Sequence, residues 1–293
     1  MNKIIGNTEL KDYVTYVDTD SNYLCCDDLV KKVYGEEEGF VDQNKIADFL
    51  DGVAKKKLEP LIADAFVRLC DYTNAFENRM SMKREVIATK GLWIAKKRYV
   101  LKVLDNEGLR YSIPEVKSTG VQIVQTTTPM HCRIKLKECL NLILDGKVEE
   151  YQKLVSDFRD EFYTLNFGQI AFNRGIGTMN KYIDKDFIFT KGTTVQAKAS
   201  ILYNHYRIKH GLEKDIQKIS EGDKIKYCYL KLPNPILHPV IGCPNETLPK
   251  EFNLDAYLDY NLMFEKTFLN PLKDISYIVG CTPEKIATLE DFF

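Results

Sequence analysis

The residues with the clearest capacity for chemistry are two aspartates near the amino end, within Tyr16-Val17-Asp18-Thr19-Asp20-Ser21. β-Branched and aromatic residues flank this polar centre between Tyr13 and Leu24, and the pattern predicts two strands joined by a tight turn. Because Asp18 and Asp20 are separated by one residue, we expect their side chains to project to the same side. Two such carboxylates suit Mg²⁺, and paired Mg²⁺ ions can stabilise the attacking and leaving oxygens of a phosphoryl transfer.

Two other interpretations of this turn need weighing. Asp18, Asp20 and Asn22 fit the first three ligand positions of an EF-hand loop. Tyr23 and Leu29 stand where that loop requires glycine and glutamate, so the EF-hand is excluded. An inert β-turn, in which aspartate is favoured for its local hydrogen bonds, stays open on the motif alone.

The composition of the 293-residue chain is that of a soluble protein with an apolar core. Hydrophobic residues make up 44% and charged residues 28%, which excludes wholesale disorder and collagen-like or coiled-coil sequence. No apolar run approaches the ~20 residues of a bilayer span, so we expect no membrane partner. The eight cysteines are scattered without a Cys-x-x-Cys pair, and the first residues lack the order of a signal peptide. This favours reduced thiols in a cytoplasm.

The spacing of apolar residues predicts an α+β chain. Helical spacing from Ile46 to Val53 continues beyond Pro60 as a second helical segment to Tyr72. Alternation between residues 85 and 103 predicts a second sheet segment. Thr128-Pro129 predicts a helix start, with a capping hydroxyl followed by proline. A 3-4-3-4 spacing from Val148 to Phe162 predicts the next helix.

Basic residues collect in two regions of a chain whose net charge is only −1. One region runs from Lys83 to Arg110 and the other from Lys191 to Lys231. Such asymmetry along a neutral chain predicts a local face that binds a polyanion. Solvated surface charge remains the alternative for each single run.

The residues on either side of the aspartate turn resemble those of a known protein family. Tyr-x-Asp-Thr-Asp-Ser between two apolar strands resembles motif C of the family B DNA polymerases. The rest of the chain resembles, in order, the palm and thumb of the T-even bacteriophage members, and the similarity covers the C-terminal third of such a polymerase. The matching segments are Lys55–Pro60, Leu69–Tyr72, Met82–Glu85, Ala95–Tyr99, Gln125–Pro129, Glu246–Glu251, Phe264–Leu272 and Ala287–Phe293.

The resemblance implies an α+β architecture in three parts. Residues 1–117 would be the C-terminal portion of a polymerase palm, an antiparallel sheet with helices. Residues 118–285 would form a mainly helical thumb, and residues 286–293 a tail that binds a sliding clamp. The family context also implies the cytoplasm of an infected bacterial host.

The resemblance assigns three acidic residues to the active site. Asp20 is the expected direct metal ligand, and Asp18 is the second carboxylate of motif C. Glu85 would be a peripheral acid that tunes the site, with a plain surface acid as the alternative. The implied cofactor is Mg²⁺, in a two-metal site shared with a carboxylate that this chain lacks.

The DNA contacts are carried over from the Lys-x-Tyr element of the family. Lys97 and Tyr99 would contact the minor groove of the primer–template duplex, and alternation on one strand face would let both reach it. Lys96 and Arg98 are expected to face the other way, toward phosphate or solvent. Lys117 is expected to contact the duplex backbone.

The tail residues Leu289, Phe292 and Phe293 form a small apolar cluster. The resemblance implies that this cluster docks on a sliding clamp, as a short helix does in a groove. Packing of the tail back onto the chain's own thumb is the alternative.

Several motifs of a complete family B polymerase have no counterpart in the sequence. The first palm carboxylate, the fingers helix and the exonuclease motif are all missing. We therefore expect DNA polymerase activity, with primer–template DNA and deoxynucleoside triphosphates, only with a partner: an N-terminal polymerase fragment that carries exonuclease and fingers. The alternative is a non-catalytic fragment that binds duplex DNA and tethers it to the clamp.

Overall fold

The computed structural model describes residues 1–5, 10–35, 42–121, 125–184 and 186–285. The chain forms two compact units, Met1–Lys117 and Ser118–Phe293. Helices and antiparallel sheets occur together, which confirms the predicted α+β class. The clamp-binding residues predicted from the sequence, Leu289, Phe292 and Phe293, lie outside the described residues. Over the described ranges, no helix is long and apolar enough to cross a bilayer.

The described residues of the first unit form four α-helices and two antiparallel sheets. The elements are α1 (Asn2–Ile5), β1 (Val14–Asp18), β2 (Ser21–Leu24), α2 (Asp27–Tyr34), α3 (Gln43–Val53), α4 (Glu59–Tyr72), β3 (Val86–Ala95), β4 (Arg98–Asn106) and β5 (Leu109–Thr119). Strand β1 pairs with β2 in an antiparallel ribbon, and the second sheet has the order β3-β4-β5.

Strand β5 was not predicted from the sequence. Its residues include Pro114, which cannot donate a ladder hydrogen bond and so weakens the strand pattern. The structure accommodates the proline because β5 lies at the edge of its sheet. Glu107 and Gly108, with φ of 53° and 90°, form the tight turn that leads into it.

A π-helical turn, Ala54–Leu58, joins α3 to α4 immediately before Pro60. Proline cannot donate to the carbonyl four residues earlier, and its ring would clash with that carbonyl. Widening the turn separates the two groups without ending the helix. The same device recurs in the second unit, where a π-helical turn over Glu265–Leu269 precedes Pro271.

An ion network fastens α3 to the β3–β4 sheet. Asp105 is buried, and its carboxylate accepts hydrogen bonds from the guanidinium groups of Arg84 and Arg110. Arg84 also lies 2.5 Å from Asp51 of α3, and Arg110 lies 2.9 Å from Asp48. These contacts fix Arg84, the residue that precedes the predicted acid at position 85.

Hydrogen bonding lowers the pKa of Asp105. Burial by itself would raise that pKa, but the Gly108 N–H and the guanidinium groups of Arg110 and Arg84 stabilise the ionised form and outweigh it. The Asp105 carboxylate is therefore charged in the folded chain at neutral pH. It contributes stability that is present above its unfolded pKa of about 4 and is lost as the pH falls through its lower folded value.

We predict that Asp105→Ala lowers the free energy of unfolding of the first unit by about 3–5 kcal/mol, because two arginines lose a buried partner. The chain has a single tryptophan, Trp93, in β3, so its fluorescence in a urea titration reports on this unit. The difference from wild type should shrink below about pH 4.

The matched control is Asp64→Ala, which removes an exposed pair with Arg68. This control should change the free energy of unfolding by less than about 1 kcal/mol. An equally small effect of Asp105→Ala would contradict the role of the network.

The second unit is helix-rich but also contains strands that the sequence pattern did not predict. A three-stranded sheet has the order β10-β9-β6, and β7 pairs with β8. Its named elements are α5 (Met130–Leu144), α6 (Val148–Phe162), α7 (Phe167–Ile170), β6 (Phe172–Gly175), β7 (Ile183–Asp184), β8 (Ile188–Phe189), α8 (Val195–Lys209), β9 (Lys224–Tyr229), β10 (Val240–Cys243), α9 (Tyr260–Phe264) and α10 (Asn270–Val279).

The core of the second unit is aromatic. Phe158 and Phe162 of α6 pack against Phe264 and Phe268, with ring centroids as close as 4.7 Å between Phe158 and Phe268. This confirms the apolar face predicted from the 3-4-3-4 spacing of α6. Helix α5 begins at Met130, one residue after the predicted start, because Pro129 takes the cap position.

Candidate functional site

The two aspartates lie at the tip of the β1–β2 hairpin. Asp18 pairs with Ser21, so Thr19 and Asp20 form a two-residue loop, and Thr19 has a left-handed φ of 42°. This confirms the two strands and tight turn. Asp20 belongs to this loop and not to an extended strand. The expectation that strand alternation puts Asp18 and Asp20 on the same side is therefore wrong.

The two carboxylates have different surroundings. Asp18 is partly buried, with 26% of its side chain exposed, and its Oδ1 accepts a hydrogen bond of 3.1 Å from the Thr19 hydroxyl. Asp20 is exposed at the tip of the loop. Asp18 is therefore held by local contacts, while Asp20 projects into solvent.

Three tyrosines join this hairpin to the β3–β4 hairpin. The hydroxyl of Tyr23 donates to that of Tyr99 over 2.9 Å, and their ring centroids are 5.3 Å apart. The ring centroid of Tyr16 lies 6.0 Å from that of Tyr23 and 5.8 Å from that of Tyr99. Trp93 packs edge-on against Tyr23 at 5.8 Å. Tilted and edge-on ring pairs of this kind are favourable, so the cluster holds the two hairpins together.

Gly91 allows Trp93 to take this position. A Cβ atom at Gly91 would lie 2.6 Å from the Trp93 ring and 3.0 Å from Leu101. The indole therefore folds over the backbone of β3 at a place where any other residue would collide with it. This puts the ring in reach of Tyr23.

Lys97 is brought against the aspartate hairpin by its backbone and by its side chain. Its N–H donates to the Tyr16 hydroxyl over 2.7 Å, and its ammonium lies 3.7 Å from Asp18 Oδ1. Ala95 pairs with Arg98, which leaves Lys96 and Lys97 in a two-residue turn. The expectation that Lys97 and Tyr99 alternate on one strand face is therefore wrong. Lys97 adopts a left-handed φ of 60° in that turn.

The remaining predicted DNA contacts fall into two places. Lys96 is exposed in the same turn as Lys97, and Arg98 and Tyr99 begin β4 as half-buried residues. Lys117 lies in β5, with its ammonium 5.5 Å from the centre of the Tyr111 ring. The structure therefore groups four of the five predicted contacts at one hairpin end, next to the aspartate turn.

Glu85 is exposed and immediately precedes β3. Its carbonyl accepts hydrogen bonds from the Glu107 N–H at 2.6 Å and from the Arg84 guanidinium at 3.2 Å. The pKa of Tyr23 is raised by burial, by its hydrogen bond with Tyr99 and by the negative charge of Glu85.

Sequence reasoning did not identify the tyrosine cluster or the ion network as parts of the site. Tyr16 and Lys97 are 81 positions apart, and Tyr23 and Tyr99 are 76 positions apart. No local pattern links residues at such separations. The signals that were present are the tyrosine that opens the aspartate motif and an aspartate, Asp105, that follows a run of apolar residues.

The donor set of the turn suits a hard cation. Carboxylate oxygens are the ligands that Mg²⁺ prefers, and Asp18 and Asp20 supply two such groups. Within the described residues, no three His, Cys, Asp or Glu side chains are grouped so as to hold a metal. The aspartate pair would thus require at least one ligand from elsewhere.

Comparison with known proteins shows that the whole chain is similar to part of two DNA-directed DNA polymerases. It is 32% identical to the polymerase of Enterobacteria phage T4 and 34% identical to that of Escherichia phage RB69, each over 304 aligned residues. The whole chain is covered in both cases, but it spans only 33% of the length of each relative. No family model matches the chain. The predicted resemblance to part of a family B polymerase of the T-even type is therefore confirmed.

We predict that Lys97→Gly leaves the stability of the first unit unchanged or raises it by about 0.5–1 kcal/mol. Glycine adopts a positive φ without the steric cost that lysine bears. The Lys97–Asp18 pair has an exposed lysine and a separation of 3.7 Å, and such pairs near the surface contribute about 1 kcal/mol or less. The measurement is a urea titration followed by Trp93 fluorescence. Lys96→Gly serves as the control, since Lys97 alone of this pair has a positive φ. A decrease of more than about 1 kcal/mol on Lys97→Gly would show that the ion pair outweighs the strained backbone.

Proposed function

We infer that this chain is the C-terminal portion of a replicative DNA-directed DNA polymerase and supplies the motif C aspartates to its active site. The observation that carries the proposal is the aspartate turn, which the tyrosine cluster holds beside the Lys96-Lys97 turn. The similarity of the whole chain to two phage DNA polymerases supports it. On this proposal the first unit is the palm portion and the second is the thumb.

The different surroundings of the two aspartates suggest different roles. Asp18 already has the ammonium of Lys97 within 3.7 Å, so it is suited to support the site. Asp20 is exposed at the loop tip and is the better candidate for a direct metal ligand. Bound Mg²⁺ would neutralise the charge that develops on the transferring phosphate. Glu85 would add negative charge at the periphery of the site.

The Lys96-Lys97 turn and the start of β4 would contact the primer–template duplex beside the reacting end. Minor-groove acceptors are nearly alike for all base pairs, so Lys97 and Tyr99 would sense duplex geometry and not sequence. Lys96 and Arg98 would contact phosphate. Lys117 would do so from β5, where its ammonium lies over the Tyr111 ring.

The complete activity would require the remainder of the polymerase. The chain spans about a third of the length of the relatives it matches, and it lacks the first palm carboxylate, the fingers and the exonuclease motif. An N-terminal polymerase fragment would supply these parts, with primer–template DNA and deoxynucleoside triphosphates as substrates. We place the assembled enzyme in the cytoplasm of an infected bacterium.

The partial coverage also favours a second candidate function. A chain that holds one arm of the active site could bind duplex DNA and tether it to the clamp without catalysis. Primer extension by this chain together with the remaining polymerase fragment separates the two candidates, because only the first predicts nucleotide addition.

We predict that Asp20→Asn lowers primer extension by the reconstituted polymerase about 100-fold or more, because the variant lacks a preorganised charge opposite the reacting phosphate. Asp18→Asn should lower it less. The assay measures extension rates at saturating Mg²⁺, with Asp64→Asn on α4 as the control. Full activity of the Asp20→Asn enzyme would rule out the metal role.

We predict that the double variant Lys96→Gln, Arg98→Gln binds duplex DNA with a shallower dependence on salt. Removing the two phosphate contacts should reduce the slope of log affinity against log salt concentration by about 2, with about 1 for each contact. Fluorescence anisotropy between about 50 and 200 mM salt measures the slope, a range over which such contacts change affinity by orders of magnitude. The control Lys55→Gln, Lys56→Gln changes two exposed lysines of the π-helical turn. An identical slope in the first variant would contradict a phosphate role for this turn.

The tail is proposed to dock on a sliding clamp through Leu289, Phe292 and Phe293. The preceding residues are fixed against α6, where Gln152 donates to the Thr282 carbonyl over 3.1 Å and Arg159 pairs with Glu284.

We predict that deletion of residues 286–293 abolishes clamp binding in gel filtration and leaves duplex affinity unchanged. Clamp binding by the shortened chain would exclude this role.

A further inference from the structure

Helix α4 has no buried residue, although nine of its 14 residues are hydrophobic. Four apolar residues, Leu61, Ala65, Leu69 and Tyr72, follow a 4-4-3 spacing and so form one stripe along the helix. Leu61 is 61% exposed, Leu69 is 44% exposed and Tyr72 is 88% exposed. We call this set the α4 stripe.

The α4 stripe has the composition of an interface. A surface helix normally turns its apolar face to a core and its polar face to water, but here the apolar side chains are in water. Asp64, Arg68 and Asp71 follow a separate polar spacing on the same helix. Beyond the helix, Phe76 is a further exposed apolar residue, at 99%. Contiguous apolar patches with a polar rim mark contact sites.

Helix α4 is nevertheless fixed to the rest of the first unit. Its first turn is anchored where Glu59 Oε1 accepts a hydrogen bond of 3.2 Å from the Arg84 N–H. Ile62 and Phe66 are half-buried on a neighbouring side of the helix. The stripe is therefore presented by a helix joined directly to Arg84, the residue beside Glu85.

The length of the relatives gives a candidate for what covers the stripe. The chain matches a third of the T4 and RB69 polymerases over its whole length, so two thirds of a related polypeptide is not represented in it. A polymerase portion of this size would pack against that remainder through surfaces that are apolar and unfilled here. The α4 stripe is such a surface. Its helix is joined by the hydrogen bond of Glu59 to Arg84, the residue that precedes Glu85.

We propose that the α4 stripe is the docking surface for the polymerase polypeptide that corresponds to the uncovered two thirds of the relatives. The proposal rests on the proposed function and adds to it the surface through which the active site is completed. Leu61, Leu69 and Tyr72 insert into an apolar face of that polypeptide.

The test compares two double variants of the full-length chain. Leu69→Gln, Tyr72→Gln replaces two stripe residues, and Gln at 69 is a good helix former. The control, Asp64→Gln, Asp71→Gln, changes two polar positions of the same helix. Circular dichroism and Trp93 fluorescence verify that both variants are folded. Titration calorimetry measures binding to the remaining two thirds of the same polymerase, and sedimentation of each chain alone measures self-association.

The expected result is binding at least tenfold weaker for the stripe variant and unchanged for the control, with primer extension restored at high partner concentration. Wild-type binding by a folded stripe variant, with primer extension intact, would overturn the docking surface and leave the proposed function standing. Self-association of the wild-type chain that only the stripe variant abolishes, with partner binding unaffected, would assign the stripe to a second copy and also overturn the proposal. Absence of both complex and primer extension with the wild-type chain would overturn the proposed function itself.

Discussion

Contact between two hairpins through tyrosine hydroxyls and rings is the interaction on which the site depends. Tyr23 donates to Tyr99, and Tyr16 accepts from the Lys97 N–H. An isolated two-stranded ribbon such as β1–β2 is marginal in water. Without these contacts the aspartate loop would have no defined position relative to the lysine turn. With these contacts, the acidic aspartate loop and the basic lysine turn lie next to each other.

The ion network fixes the segment that precedes Glu85. Asp105, Arg84 and Asp51 join the sheet to α3, and Arg84 in turn fixes the backbone before Glu85. Tertiary contacts thus hold together the segments around residues 18 and 97, which are far apart in the chain. A chain with a net charge of −1 can in this way present a locally basic turn beside two carboxylates.

Local patterns predicted the elements whose stability is local. The β1–β2 hairpin followed from β-branched and aromatic residues around a polar centre, and α6 followed from its apolar spacing, since both signals lie within one element. Strand β5 was missed because Pro114 interrupts its pattern, and only its edge position makes the proline tolerable. Lys97 was placed on a strand because alternation cannot reveal where a two-residue turn begins. The tyrosine cluster joins residues far apart in the chain, 81 positions for Tyr16 and Lys97, and has no local signature.

The most direct measurement is the position of Mn²⁺, as a substitute for Mg²⁺, in the assembled polymerase with primer–template DNA and an incoming nucleotide, determined by anomalous diffraction. The metal site inferred here predicts an ion whose ligands include a carboxylate oxygen of Asp20, at a distance of about 2.0–2.2 Å typical of small divalent cations. Asp18 should lie beside that ion and remain close to Lys97. Ions bound only to other carboxylates, with Asp20 in solvent and the lysine turn away from the duplex, would contradict it.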